Sequence, residues 1–155
     1  MTRKTLAVLG VGTAAVLLLS GFAWAGPFGG GGHGGGRGWH APERAYQFLT
    51  WRVDDALDEL EATDAQRARV NGVKDRLFQA ALTQHEAHRA TRGEFVTQLA
   101  SERPDAQRLH ALVDARVEAM RALAHQAVDG MLEVHGSLTP AQRAEVAERF
   151  ERHGR

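Results

Sequence analysis

The sequence predicts an all-α protein of four helices built around a long central hairpin, and three observations lead there. From Pro42 onward, glycine occurs only at Gly72, Gly93, Gly130, Gly136 and Gly154, and proline only at Pro42, Pro104 and Pro140. Between those points apolar residues recur at three- and four-residue spacing, and the alternation a half-buried strand needs is missing. One periodic segment, finally, is too long to fit inside a compact domain.

The first helix is expected from Pro42 to about Glu61. Pro42 suits a first helical turn, where its missing N–H is no loss. Ala45, Leu49, Val53, Ala56, Leu57 and Leu60 fall on one face. The second helix is expected to start at Asp64 with Val70, Val73, Leu77, Ala81, His88, Phe95 and Leu99 in its stripe. It ends at "SERPD" (residues 101–105), because Pro104 disfavours helix in the residue before it. The third runs from about Asp105 to His135, with Leu109, Val113, Val117, Met120, Ala124, Val128, Met131 and Leu132 as its apolar face. The fourth starts after Thr139 and turns Val146 and Phe150 inward.

At 1.5 Å per residue the second helix is ~55–60 Å long, whereas a compact domain of this size is only about 35 Å across. The second and third helices must therefore fold back on each other at Pro104, with the short first and fourth helices near one end. The far part of the hairpin, around Phe95 and Leu112, is then expected to lack partners within one chain. A curved homodimer is the expected solution, with bending placed at Gly72 and Gly93.

Residues 1–25 read as a cleaved export signal. Arg3 and Lys4 precede the apolar run Leu6 to Leu19, and Ala23-Trp24-Ala25 gives the small-x-small cleavage pattern. The run is also shorter than the ~20 apolar residues that span a bilayer comfortably. No membrane insertion is expected after cleavage. Residues 26–41, opening with "GPFGGGGHGGGRG", form a Gly/His-rich tether, expected to be disordered because it has almost nothing to bury. Residues 42–153 are the helical domain.

The 155 residues carry 19 basic and 19 acidic side chains, and loss of Arg3 and Lys4 leaves a net charge of −2. A near-neutral surface argues against nucleic acid as a partner. The absence of cysteine removes disulfides, thiolate zinc sites and thiol catalysis. The two serines beyond the signal, Ser101 and Ser137, sit at helix ends without a His/Asp setting, and the glycine tract precedes no strand. No catalytic site and no cofactor are expected.

Two stretches repeat: "ATDAQR" from Ala62 and "LTPAQR" from Leu138. Thr63 and Thr139 suit helix N-caps, with Gln66 and Gln142 three residues later able to reach back to the cap amide. Asp64 and Pro140 suit the first helical position. With these paired motifs the chain resembles the periplasmic Spy/CpxP/ZraP group, whose members carry two LTxxQ motifs. Leu138, Thr139 and Gln142 match in full. Ala62 stands where the family has Leu, with Leu60 close by. The resemblance implies a curved, all-helical homodimer exported to the periplasm. The roles it implies are an ATP-independent chaperone for unfolded periplasmic proteins, an inhibitor of an envelope-stress sensor kinase, or a Zn/Ni/Co sensor in metal resistance.

A chaperone needs apolar surface beside charge. Phe48 and Trp51 fall opposite the first helix's stripe, on the side of Arg44 and with Arg52 nearby, so this quartet is the candidate client or partner surface. A dimer contact or packing under the fourth helix would equally explain the rings. The acidic run Asp54, Asp55, Asp58, Glu59 and Glu61 opposes the helix macrodipole, and Arg67, Arg69 and Lys74 are expected to offset it. For a metal, the candidates are His33, His40, His85, His88, His125, Met131 and His135. His85/His88 and Met131/His135 each have same-face spacing. The metal sensors of the family use His-x-x-x-His in the first helix and His-x-x-x-Met in the third. Here the first helix has no His, and the third offers His125-x-x-x-Asp129 and the reversed Met131-x-x-x-His135.

Overall fold

The computed structural model describes residues 42–153, leaving out the side chains of 149, 150, 152 and 153. The expectations for residues 1–41, including His33, His40, the export signal and the tether, lie outside the described residues, as does the inward placement of Phe150. Among the described residues four helices appear in order: α1 (Pro42–Glu59), α2 (Asp64–Leu99), α3 (Ala106–Ser137) and α4 (Pro140–His153). With 36 residues α2 is about 54 Å long, and the 32-residue α3 packs along it as the second arm of a hairpin. No described helix is long and apolar enough to cross a membrane.

The hairpin corner is fixed by polar contacts. Asp105 caps α3 by accepting from the Arg108 amide, and the Asp105 amide donates to Gln98 Oε1. The Arg108 guanidinium grips the Glu94 carboxylate with Nε and Nη2. That contact holds Glu94 below the usual carboxylate range, chiefly through the side-chain hydrogen bond.

α1 lays its stripe on the first half of α2. Leu49, Val53, Leu57, Ala62 and Phe78 form one cluster, and Ala45, Tyr46, Val70 and Leu82 pack against it. The Tyr46 and Phe78 rings meet edge-on at 5.1 Å. Among the described residues no side chain is completely buried, as fits a molecule only two helical layers thick. Lys74 is the exception to the expected chemistry of this layer. Instead of offsetting the acidic end of α1 it is buried, donating to Thr50 Oγ1 at 2.9 Å and Tyr46 Oη at 3.4 Å and pairing with Asp75 at 3.3 Å. Arg67 does meet the acidic run, through Asp58 at 2.7 Å, while Arg69 is exposed.

The orientation of α3 differs from the expectation. Leu112, Leu123 and Gly130 are the buried positions of this helix, while Val117, Val128, Met131 and Leu132 are exposed. α3 has apolar residues on two faces, and the face toward α2 is set by close approach. A Cβ on Gly130 would stand 2.7 Å from Val73 Cγ1, so the helices touch where only hydrogen fits. The expectation of an unpartnered far hairpin is also corrected in part. Leu112 is buried and Phe95 half-buried within the single chain, leaving Val96 and Leu99 as the exposed apolar groups near the corner.

Candidate functional site

The two repeated motifs come together at the end of the hairpin where α1 and α4 join it. Thr63 adopts an extended backbone (φ −67, ψ 160) that lets its hydroxyl accept from the Gln66 amide, while Gln66 Oε1 accepts from the Thr63 amide at 2.9 Å. Thr139 and Gln142 repeat both bonds, at 3.3 and 2.9 Å. Each motif is thus a reciprocal capping box that satisfies two orphan amides.

The glutamines do more than cap. Gln66 Nε2 donates to the Ser137 carbonyl at 2.8 Å and to Gln142 Oε1 at 2.9 Å. Gln142 Nε2 donates in return to the Leu60 carbonyl at 2.9 Å and to Gln66 Oε1 at 3.4 Å. Each motif therefore closes the helix end that precedes the other. The adjoining arginines match as well: Arg67 Nε reaches the Ala62 carbonyl at 3.1 Å, and Arg143 Nε reaches the Leu138 carbonyl at 3.0 Å. Ala62 and Leu138, the residues before each threonine, are both buried. A local twofold arrangement results, with the amide pair of Gln66 and Gln142 at its centre. Spacing alone assigns the letters to helix initiation only. Repetition of the arginine was the available signal that the motif extends further.

The turn between α1 and α2 adds a constraint. The Ala62 amide donates to the Leu57 carbonyl at 2.9 Å and the Glu61 amide to the Asp58 carbonyl at 3.1 Å, which is a Schellman ending. Its left-handed position is occupied by Glu61, at φ 50, where glycine is usual.

Of the candidate surface on α1, Phe48 and Trp51 are each 57% exposed, their rings 6.0 Å apart, and Arg44 is exposed beside them. Packing under α4 does not account for the rings. Arg52 departs from the expectation. It is buried, with its guanidinium 5.9 Å from the centre of the Trp51 ring.

Among the histidines, His85 and His88 are half-buried on α2, whereas His125, Met131 and His135 are exposed on α3. Among the described residues no three His, Asp or Glu side chains converge as a metal site would require. Burial lowers the proton affinity of His88, with further contributions from Arg116, His85 and Arg92. A positive field of that kind opposes a divalent cation at the same place.

Searches among curated proteins and among solved structures found no match. A family model described as "LTXXQ motif family protein" matches residues 48–150, which takes in both interlocked motifs and nearly all of the four helices. The chain belongs to the LTXXQ motif family, the Spy/CpxP/ZraP family, whose members are generally non-enzymatic periplasmic proteins.

Proposed function

We propose that this protein is a periplasmic, ATP-independent holdase that works as a homodimer and binds unfolding clients without a chemical step. The observation that carries this reading is the outward face of α3. Val117, Val128, Met131 and Leu132 stand exposed there along the same helix as Asp114, Glu118, Arg121 and Asp129. Apolar groups set among charges suit a non-native chain, which offers both kinds of surface and no fixed shape. Phe48 and Trp51 on α1 extend the apolar surface available to a client. The second copy is assigned to the hairpin corner, where Val96 and Leu99 are exposed. Export rests on the pattern of residues 1–25 and on the typical location of the family.

The test is aggregation of a thermally or chemically unfolding client, followed by light scattering in the absence of nucleotide. A several-fold excess of the protein lacking residues 1–25 is expected to suppress scattering. Unchanged scattering would end the holdase reading, and a sedimentation mass of one chain would end the dimer.

A further inference from the structure

We propose that the middle of the α2–α3 hairpin carries a binding site for a small oxyanion, a carboxylate or phosphate group, held between His88 of α2 and Arg116 of α3. Arg116 reaches across the hairpin and donates one long bond, Nη1 to the Gln84 carbonyl at 3.4 Å. Its Nε and the His88 Nδ1 are both shielded from water and have no hydrogen-bond partner. A buried nitrogen left unsatisfied forfeits its hydration without replacement.

The charges that act most strongly on His88 are positive. His85 and Arg92 lie three residues before and four after His88, on the same helix, and both act on it as cations, as Arg116 does from α3. Burial also lowers the proton affinity of Arg116 itself. Elsewhere on the hairpin three arginines have carboxylates, Arg76 with Glu133, Arg108 with Glu94 and Arg121 with Glu118, while exposed Arg69 and Arg89 form no such pair among the described residues. Among the described residues no carboxylate pairs with Arg116 or Arg92, and an arginine edge is shaped to present paired N–H groups to an oxyanion. Protonated His88 would supply a further donor. Binding and protonation should therefore be linked, with the anion held more tightly below the ordinary histidine value of 6.5.

The oxyanion has two sources, a free ion or an acidic side chain of a bound peptide. The site does not rest on the holdase reading, and loss of client protection would leave it standing. The experiment follows the histidine rings of the mature protein by NMR. One arm adds inorganic phosphate and the other a short uncharged-terminus peptide containing glutamate, each against chloride at equal ionic strength. The expected result is a saturable shift of the His88 ring and a rise in its pKa, with exposed His125 unmoved. Arg116→Gln is expected to weaken binding by about tenfold or more. Arg116→Lys, which keeps the charge without the fork, serves if the first variant fails to fold, and its affinity should also fall. A response to phosphate alone supports a free-ion site, and a response to the peptide alone supports a client carboxylate. Failure of His88 to move in either arm, or an undiminished response in the Arg116 variants, overturns the proposal.

Discussion

Replacing Gly130 by alanine probes the contact that orients α3. In an ordinary helix interior Gly→Ala is stabilising by about 0.5–1 kcal/mol, because glycine loses more backbone freedom on folding. Here the added Cβ would stand 2.7 Å from Val73 Cγ1 and 3.3 Å from Leu77 Cδ1. Val73 is buried and β-branched, so its methyl has one good rotamer in a helix and cannot swing aside cheaply. Overpacking of this kind costs about 1–3 kcal/mol. Subtracting the propensity gain at the middle of both ranges leaves a net destabilisation of about 1 kcal/mol, or a fall in Tm of about 4–8 °C for a domain of this length. Gly93→Ala is the internal control, since nothing lies within 4 Å of its Cβ. It should raise Tm by a few degrees, about what its propensity gain alone would give. Thermal unfolding followed by circular dichroism at 222 nm reads both. A Gly130→Ala protein at least as stable as wild type would show that close approach does not orient α3. Equally damaging would be a Gly130→Ala/Val73→Ala double variant in which the second change brings no relief.

The interlocked motifs and the titrating groups have consequences of their own. Gln66→Ala and Gln142→Ala should each cost about 2–3 kcal/mol, at about 1 kcal/mol per lost bond, and the double variant should cost less than their sum by about 1 kcal/mol. Urea unfolding of the four proteins measures this coupling, and strict additivity would mean that the amide pair is energetically idle. Glu61→Gly should stabilise the fold by about 1 kcal/mol by relieving the left-handed backbone at φ 50, read as a higher urea midpoint. His88 has a folded pKa below its ordinary value, so the unfolded chain takes up the proton first as pH falls. Stability from this group is therefore fully present above about pH 6.5 and declines below it, until the folded pKa is reached. His88→Gln should flatten that part of the stability–pH curve, and an unchanged curve would contradict the assignment.

Helix boundaries were legible because the chain punctuates them. Pro42, Pro104 and Pro140 and the two Thr-x-x-Gln stretches fall at starts or just before them, and these are local steric and hydrogen-bonding signals. The stripe of α1 was equally clear, since the aliphatic residues of that helix share one face. The face that α3 turns to α2 was not, because Val117, Val128 and Met131 obey helical spacing as well as Leu112 and Leu123 do. Periodicity reports that a face is apolar, and not which face finds a partner. The choice is made by the close approach at Gly130, which depends on Val73 of another helix. The pairing of Gln66 with Gln142 was hidden for a related reason, since it is a contact between residues 76 apart. The burial of Lys74 was equally hidden, because a lysine is expected at the surface. The polar cage of Tyr46, Thr50 and Asp75 that accepts it forms only when α1 and α2 meet.

If exposed apolar groups on α3 hold clients, charging that face should abolish the activity while sparing the fold. Val128→Asp and Leu132→Asp alter exposed positions, where substitutions usually change stability by no more than about 0.5 kcal/mol. Light scattering of an unfolding client is compared between wild type and the double variant, at matched concentration, without nucleotide, with helicity and Tm checked first. A well-folded double variant is expected to lose most of its suppression of aggregation. Full suppression by that variant would mean that clients bind elsewhere, contrary to the role assigned to α3.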